Sequence, residues 1–181
     1  MIYKLIPPTD VRVNSAIAPF TDEALKEHNI KDRKELADNM FETMVKYGGI
    51  GLTCNQVGLP YNMFVLGGHP QIENGAKMAC FNPKIIEQSK ETIRLKEGCL
   101  TFPFIFLDIE RPKAVKVEYE NEQGEKVERM LEGYMSRIYQ HEYDHVLGRN
   151  FTERASKFKL ERAREKARKL IKTRRKLAQA T

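Results

Sequence analysis

The 181-residue sequence contains no tryptophan, only three cysteines and no long apolar run. A membrane-spanning helix needs roughly 18 or more consecutive apolar residues, which are absent, and the first residues lack the apolar core of a secretory signal. Cys54, Cys80 and Cys99 are too few and too scattered for a disulfide framework, so each is expected to be a buried thiol or part of a functional site. These absences predict a cytoplasmic protein with no membrane partner.

The overall amino-acid composition is typical of a packed domain. Apolar residues make up 41% of the chain and charged residues 31%, with 11 glycines and 8 prolines. This balance excludes disordered and collagen-like chains, and the length suits one domain with a sizeable core. A single folded domain is therefore the starting expectation.

The charge is concentrated at one end. Residues 151–181 contain 12 Lys and Arg and 3 acidic residues, a net charge of +9, whereas the preceding 150 residues, with 19 basic and 22 acidic residues, carry −3. A basic tail on a slightly acidic body favours a polyanionic partner for the tail alone, although a solvated cationic helix would have the same composition.

Apolar spacing indicates the fold class. Residues 32–47 predict a helix that ends before two glycines, with an apolar stripe formed by Leu36, Met40, Met44 and Tyr47. Residues 61–131 consist of short β-rich runs with a hairpin turn at 121–124. Residues 134–147 and 155–179 then have helical patterns, the second with a narrow apolar stripe. The order predicts an α+β domain in which largely antiparallel β-sheets pack around a central helix, with a basic helix at the C terminus.

The strongest local motif is His141-Glu142-Tyr143-Asp144-His145. Side chains four residues apart lie on the same face of a helix, so both imidazoles can bind one metal ion, and Glu142 is placed to exchange a proton with water. A surface helix with two unrelated histidines is the alternative interpretation.

A catalytic metal site needs a third protein ligand and one open position. The metzincin pattern would place a histidine at position 151, which is Phe151. A thermolysin-like enzyme would use a Glu roughly twenty residues downstream, such as Glu161 or Glu165, but both lie among cations that can pair with them. Cys99 is the favoured candidate because a thiolate binds zinc or ferrous iron strongly.

Three segments in this order resemble the motifs of peptide deformylases. They are Gly49-Ile50-Gly51-Leu52-Thr53-Cys54-Asn55-Gln56, Glu97-Gly98-Cys99-Leu100-Thr101 and His141-Glu142-Tyr143-Asp144-His145. The similarity extends over most of the chain. It implies a metal-dependent enzyme that removes the N-formyl group from nascent polypeptides, with a catalytic domain over residues 1–152 and a basic helical extension of the same domain over 153–181.

The resemblance also implies roles for individual residues. Cys99, His141 and His145 would bind one divalent metal ion, natively Fe²⁺, with Zn²⁺, Ni²⁺ or Co²⁺ as alternatives in a purified sample. Glu142 would be the general base and acid, while Gln56 and the Leu100 backbone N–H would stabilise the oxyanion, with Gly51 beside them. The methionine side chain and peptide backbone of the substrate would contact Gly49, Ile50, Leu95, Glu97, Gly98, Phe104, Ile105, Tyr134 and Ile138.

Three positions depart from the family pattern. Thr53 and Cys54 replace two alanines and are small enough to preserve the packing. Thr101 replaces a serine, whose hydroxyl it retains while adding a methyl group. Cys54 is expected to be a packed thiol. Glu97 and Arg111 form an opposite-charge pair that is expected to brace the Cys99 loop.

The basic tail resembles the ribosome-docking helix of bacterial deformylases, so the ribosome is the expected polyanionic partner and a monomer the expected state. Two other functions remain open from the residues alone. One is a general metallopeptidase, in which Glu161 or Glu165 would be the third ligand. The other is a nucleic-acid-binding protein with a structural metal, which the lack of paired cysteines disfavours.

Overall fold

The computed structural model describes residues 1–179. Within these residues, three α-helices and seven β-strands are arranged in an α+β fold, as predicted. In chain order they are α1 (Arg33–Lys46), β1 (Gly51–Thr53), β2 (Met63–Gly67), β3 (Lys77–Gln88), β4 (Thr92–Cys99), β5 (Phe102–Pro112), β6 (Val115–Glu120), β7 (Lys126–Leu131), α2 (Gly133–Val146) and α3 (Lys157–Gln179). None of the helices in this part of the chain is long and apolar enough to cross a membrane.

The strands form two antiparallel sheets. One has five strands in the order β1-β2-β3-β6-β7, and the other is the β4-β5 hairpin. The predicted turn joins β6 to β7, where the Asn121 N–H donates to the carbonyl of Glu125 at 2.9 Å. The antiparallel arrangement predicted from the short, turn-separated runs is confirmed.

Helices α1 and α2 pack on opposite faces of the five-stranded sheet. Successive side chains of a strand point to opposite faces. Accordingly, Met63 and Val65 belong to the apolar cluster that includes α1, whereas Phe64 and Leu66 belong to the cluster that includes α2. Strand β2 is therefore buried on both faces, and α2 lies in the interior of the molecule.

Helix α1 begins where the sequence pattern places it. The Asp32 side chain accepts a hydrogen bond from the Glu35 N–H at 2.8 Å and caps the first turn. Leu36, Met40 and Met44 form the predicted buried stripe. Tyr47 was expected on that stripe but is 39% exposed, because it follows the last helical residue and precedes Gly48 at φ 70°.

Helix α3 packs on the β4-β5 hairpin through its few apolar residues. Ala163 is buried together with Leu107 and Ile109 of β5 and with Phe151, and Leu160 packs against the same cluster. Its long cationic side chains are mostly exposed. Helix α3 is thus packed on the β4-β5 hairpin, whose first strand ends at Cys99.

Candidate metal centre

Helix α2 places both motif histidines on one buried face. The ring centroids of His141 and His145 are 5.3 Å apart, and both side chains are buried. This is the geometry expected for residues four apart on a helix. It excludes the interpretation of two unrelated surface histidines.

Cys99 ends strand β4 and meets these histidines from the other side. Its Sγ lies 3.3 Å from Nε2 of His145, and one donor atom from each of Cys99, His141 and His145 lies within 4.8 Å of the others. In a tetrahedral site with typical metal–sulfur and metal–nitrogen bonds, the donor atoms are roughly 3.5 Å apart. One thiolate and two imidazoles at these separations fit a single divalent transition-metal ion.

The protonation of the three groups also suits a metal ion. Burial opposes ionisation of Cys99, but the neighbouring His145 and His141 outweigh it and hold the thiol pKa well below its ordinary value. Burial likewise opposes the charged form of His141, yet its contacts with Cys99 and Glu97 raise its pKa to about 10. A metal ion binding here would displace the imidazolium proton, so binding is expected to release a proton.

The other proposed third ligands lie elsewhere. Phe151 is buried with its ring centroid 5.5 Å from that of His141, so it packs against this histidine and offers no ligand atom of its own. Glu161 forms an exposed ion pair with Arg164 at 2.8 Å, and Glu165 is also exposed on α3. Intrahelical pairing, as expected from the cations around Glu161, is observed for that residue.

Glu142 is buried next to the histidines, and both of its carboxylate oxygens are constrained by β1. Thr53 Oγ1 donates to Oε2 at 2.7 Å. A Cβ added to Gly51 would lie 2.3 Å from Oε1, so only glycine leaves room for this oxygen. Burial raises the pKa of Glu142 above its ordinary value, against the lowering effect of the two histidines and of Thr53. A buried carboxylate with a raised pKa suits a group that accepts and returns a proton.

Gln56 is held in place by the turn that follows β1. Its Oε1 accepts a hydrogen bond from the Thr53 N–H at 2.8 Å, and its Nε2 lies 3.4 Å from Cys99 Sγ and 3.0 Å from Thr101 Oγ1. Thr101, the residue that departs from the family's serine, therefore uses its hydroxyl to hold the Gln56 amide. The amide nitrogen faces the Cys99 sulfur.

A buried network of charged side chains contacts Nδ1 of His141. Glu97 accepts hydrogen bonds from Arg111 at 2.6 and 2.9 Å, from Arg137 at 2.8 Å, and from Nδ1 of His141 at 2.9 Å. Burial favours the neutral acid, but Arg111 and His141 hold the pKa of Glu97 well below its usual range. An anion behind Nδ1 leaves Nε2 free to face the metal position, as in many metal sites.

The same network continues along α2. Arg111 Nη1 donates to Asp144 at 2.7 Å, and Arg154 binds the two oxygens of Asp144 at 2.6 and 2.7 Å. Arg111, at 1% exposure, is among the most deeply buried side chains in the described residues. The predicted Glu97–Arg111 pair is thus present and is part of a larger network that joins the hairpin to α2.

A cavity of about 700 Å³ opens beside the three ligands. Leu95 and Ile105 were predicted to line this cavity, and neither does. Ile105 packs against the apolar cluster under α3, and Leu95 lies four residues before Cys99 on β4, where it pairs with Ile109. Of the other predicted site residues, His145 is fully buried and does not reach the cavity. The rest line it, namely Gly49, Ile50, Gly51, Gln56, Glu97, Gly98, Cys99, Leu100, Phe104, Tyr134, Ile138, His141 and Glu142.

Some residues at the site were not expected from the sequence. Phe106 lines the cavity with 58% of its surface exposed, and Arg137 both lines it and binds Glu97. Arg137 precedes His141 by four residues on α2, a spacing that could have signalled a shared face. The hydrogen bond from Thr53 to Glu142 joins residues far apart in the chain, and no local pattern indicates it.

Known proteins resemble this chain both in sequence and in fold. The family model described as polypeptide deformylase matches residues 15–161. A peptide deformylase of Thermotoga neapolitana is 47% identical over 127 residues, which cover 70% of each chain. A solved peptide deformylase from Ehrlichia chaffeensis is 32% identical with a TM-score of 0.81, covering 96% of this chain and 98% of that one. A Met-Ala-Ser-bound class I type b peptide deformylase from Acinetobacter baumannii is 31% identical with a TM-score of 0.77, covering 86% and 99%.

Proposed function

This chain belongs to the peptide deformylase family, and from that membership we propose that it hydrolyses the N-formyl group of N-terminal formylmethionine on nascent polypeptides and releases formate. The supporting observation is the convergence of Cys99, His141 and His145 beside the buried carboxylate of Glu142, at the base of a cavity that can admit a peptide. The Acinetobacter baumannii relative with bound Met-Ala-Ser, a peptide that begins with free methionine, supports the same substrate class.

The reaction adds water across one amide bond. Water attacks the formyl carbon, Glu142 accepts the proton that the water loses, and the same carboxyl group returns it to the amine nitrogen as the carbon–nitrogen bond breaks. Formate and a free N-terminal amine result. A divalent ion bound by Cys99, His141 and His145 would supply Lewis acidity, which makes water available as a nucleophile near neutral pH. We propose Fe²⁺ as the native ion, with Zn²⁺, Ni²⁺ or Co²⁺ able to occupy the same ligands.

Negative charge develops on the formyl oxygen when the carbon becomes tetrahedral. Gln56 Nε2 and the Leu100 N–H are proposed as the donors that stabilise it. Gln56 already lies against Cys99 Sγ, so a short movement of its amide can redirect one N–H to a bound substrate. Loss of one such donor typically costs roughly 3–4 kcal/mol of barrier.

The substrate is proposed to lie along the cavity between β1 and β5. Ile50, Tyr134 and Ile138 would contact the methionine side chain, and Gly49, Gly51, Gly98 and Phe104 would contact the peptide. A formyl carbon carries only a hydrogen, so the tight packing of Gly51 against Glu142 would exclude larger acyl groups by steric clash.

The test is formate release from formyl-Met-Ala-Ser by anaerobically prepared enzyme. We expect formate with the wild type and none above background with Glu142→Ala. A general metallopeptidase would instead cut internal amide bonds of an acetyl-capped peptide, and a nucleic-acid-binding protein would release no formate. Failure to detect formate from metal-loaded wild-type enzyme would refute the proposed function.

We propose that the basic C-terminal helix binds the ribosome, and that the enzyme acts there as a monomer, in the cytoplasm beside its nascent substrates. Arg168, Lys169 and Lys172 are exposed and lie on the side of α3 away from the buried Ala163 and Ala167. Charge reversal of these three cations should weaken co-sedimentation with ribosomes and leave formate release from a short peptide intact, and binding should fall steeply with salt. Charge reversal is a better test than deletion of the residues after Thr152. Deletion would remove α3 and expose the apolar side chains of β5 that pack against Ala163 and Leu160.

A further inference from the structure

The backbone of Phe104, in the wall of the cavity, has an unusual conformation. Phe104 lies in β5 between Pro103 and Ile105, and its φ is 65°. Residues other than glycine rarely adopt this region, and such a conformation persists only where the surrounding structure enforces it. Contacts that hold the Phe104 ring therefore matter for the shape of the cavity wall.

The contact that holds this ring comes from the C-terminal helix. Arg174 of α3 places its guanidinium carbon 4.8 Å from the centroid of the Phe104 ring. Arg174 follows Ala163 and Ala167 at helical spacing, so it lies on the face of α3 that packs on β5, away from Arg168, Lys169 and Lys172. Among residues 1–179, no carboxylate pairs with Arg174, and the ring is the partner that the structure gives it.

Phe104 lies where the substrate would extend past its methionine. Cys99 pairs with Phe102 and Glu97 pairs with Leu107, so Phe104 lies in the bulge of β5 between these two pairs. Phe104 lines the same cavity as Cys99 and His141. A peptide whose formyl group lies at these two residues would reach the cavity wall with the residues that follow methionine, because an extended peptide advances by about 3.3 Å per residue.

We propose that Arg174 is a positioning residue for the substrate, which fixes Phe104 as the wall against which the residues after methionine bind. The inference rests on the proposed function, because it concerns the same cavity. It assigns to α3 a role at the catalytic cavity in addition to the proposed ribosome contact. The substrate feature recognised is length: peptides that extend beyond methionine gain the contact, and formylmethionine alone does not.

The experiment compares kcat and KM for formyl-Met-Ala-Ser and for N-formylmethionine. Arg174→Ala should raise KM for the tripeptide about two- to fivefold, the effect expected for loss of one cation–π contact, with kcat unchanged and with both constants unchanged for formylmethionine. Arg174→Lys should restore the wild-type KM because an ammonium can also lie over the ring, whereas Arg174→Met should behave like alanine. Calorimetric titration with the product Met-Ala-Ser should show the same weakening.

The chain offers a matched control. Arg162 lies over Phe158 on the same helix, with its guanidinium carbon 5.6 Å from the ring centroid, and neither residue lines the cavity. Arg162→Ala therefore removes an equivalent contact and should leave both KM values unchanged. An unchanged tripeptide KM in Arg174→Ala, or equal changes for both substrates, would overturn the inference. Absence of formate from the wild type would instead count against the proposed function, and the Met-Ala-Ser titration would still test the role of Arg174.

Discussion

The hydroxyl of Thr53 donates a 2.7 Å hydrogen bond to Oε2 of Glu142, while Oε1 of the same carboxylate occupies the space above Gly51 where a larger residue would place its Cβ. Both oxygens are thus oriented by two residues of β1. The Thr53 N–H also binds Oε1 of Gln56 at 2.8 Å. A single threonine therefore positions the proposed general base and the proposed oxyanion donor.

This relationship predicts the effect of removing the Thr53 hydroxyl. Thr53→Val preserves the shape of the side chain but leaves Oε2 without its donor, and a hydrogen bond to a charged group is worth about 1.5–3 kcal/mol. We expect kcat for formyl-Met-Ala-Ser to fall about tenfold or more, because the carboxylate can rotate away from the water it must deprotonate, with KM little changed.

Thr53→Ser serves as the matched control, since it retains the hydroxyl. Its kcat should stay within about twofold of the wild type, and the melting temperatures of both variants identify any loss of folding. Wild-type kcat in a folded Thr53→Val enzyme would show that Thr53 does not orient Glu142.

Arg111 should be essential for the metal site. Replacing it with alanine leaves Glu97 and Asp144 as buried carboxylates with fewer cations, and breaking a buried pair in this way typically costs 3–5 kcal/mol. We expect a large fall in the free energy of unfolding, measured by urea denaturation, together with reduced metal content by elemental analysis. The pair Arg94–Glu110 on the same hairpin is exposed, so Arg94→Ala should change neither quantity appreciably. Full metal content and activity in Arg111→Ala would refute the proposed bracing role.

The features that the sequence predicts well are those carried by local spacing. The helical interval from His141 to His145, the apolar stripe of α1 and the turn at 121–124 each depend on neighbouring residues, and each is present. The motif around Cys99 and the chemistry of its thiolate also predict its place in the site, and its sulfur lies 3.3 Å from Nε2 of His145.

The features that the sequence does not predict are those created by packing between distant segments. Leu95 and Ile105 were placed in the cavity by resemblance, but the hairpin directs Ile105 toward the cluster under α3. No residue of the tail belongs to the three motifs, yet Arg174 contacts Phe104 at the cavity wall. Only the fold brings α3 across β5, so no local pattern could reveal that contact.

Removal of the metal ion should destabilise the fold because its ligands come from different elements. Cys99 ends the hairpin and the two histidines belong to α2, so a bound ion would join these two elements. An ion present at about a thousand times its dissociation constant would stabilise the folded state by about 4 kcal/mol. We expect a chelator to lower the melting temperature and added Zn²⁺ or Fe²⁺ to restore it. Cys99→Ala should show a much smaller response to either treatment, and an equal response would contradict this ligand set.

Asp144 should make stability depend on acidic pH. Burial opposes its ionisation, but Arg154 and Arg111 outweigh this effect and lower its pKa in the folded state. A carboxylate with a lowered folded pKa contributes its full stabilisation above the unfolded pKa, about 3.9 for Asp, and loses it as pH falls toward the folded value. The free energy of unfolding should therefore decrease as pH falls from about 5 to 2.

Asp144→Asn should weaken this dependence, because its amide does not titrate. Asp38→Asn, which alters an exposed partner of Lys34, should retain the wild-type slope. If Asp144→Asn also retained that slope, the buried arginines would not be stabilising the ionised form of Asp144.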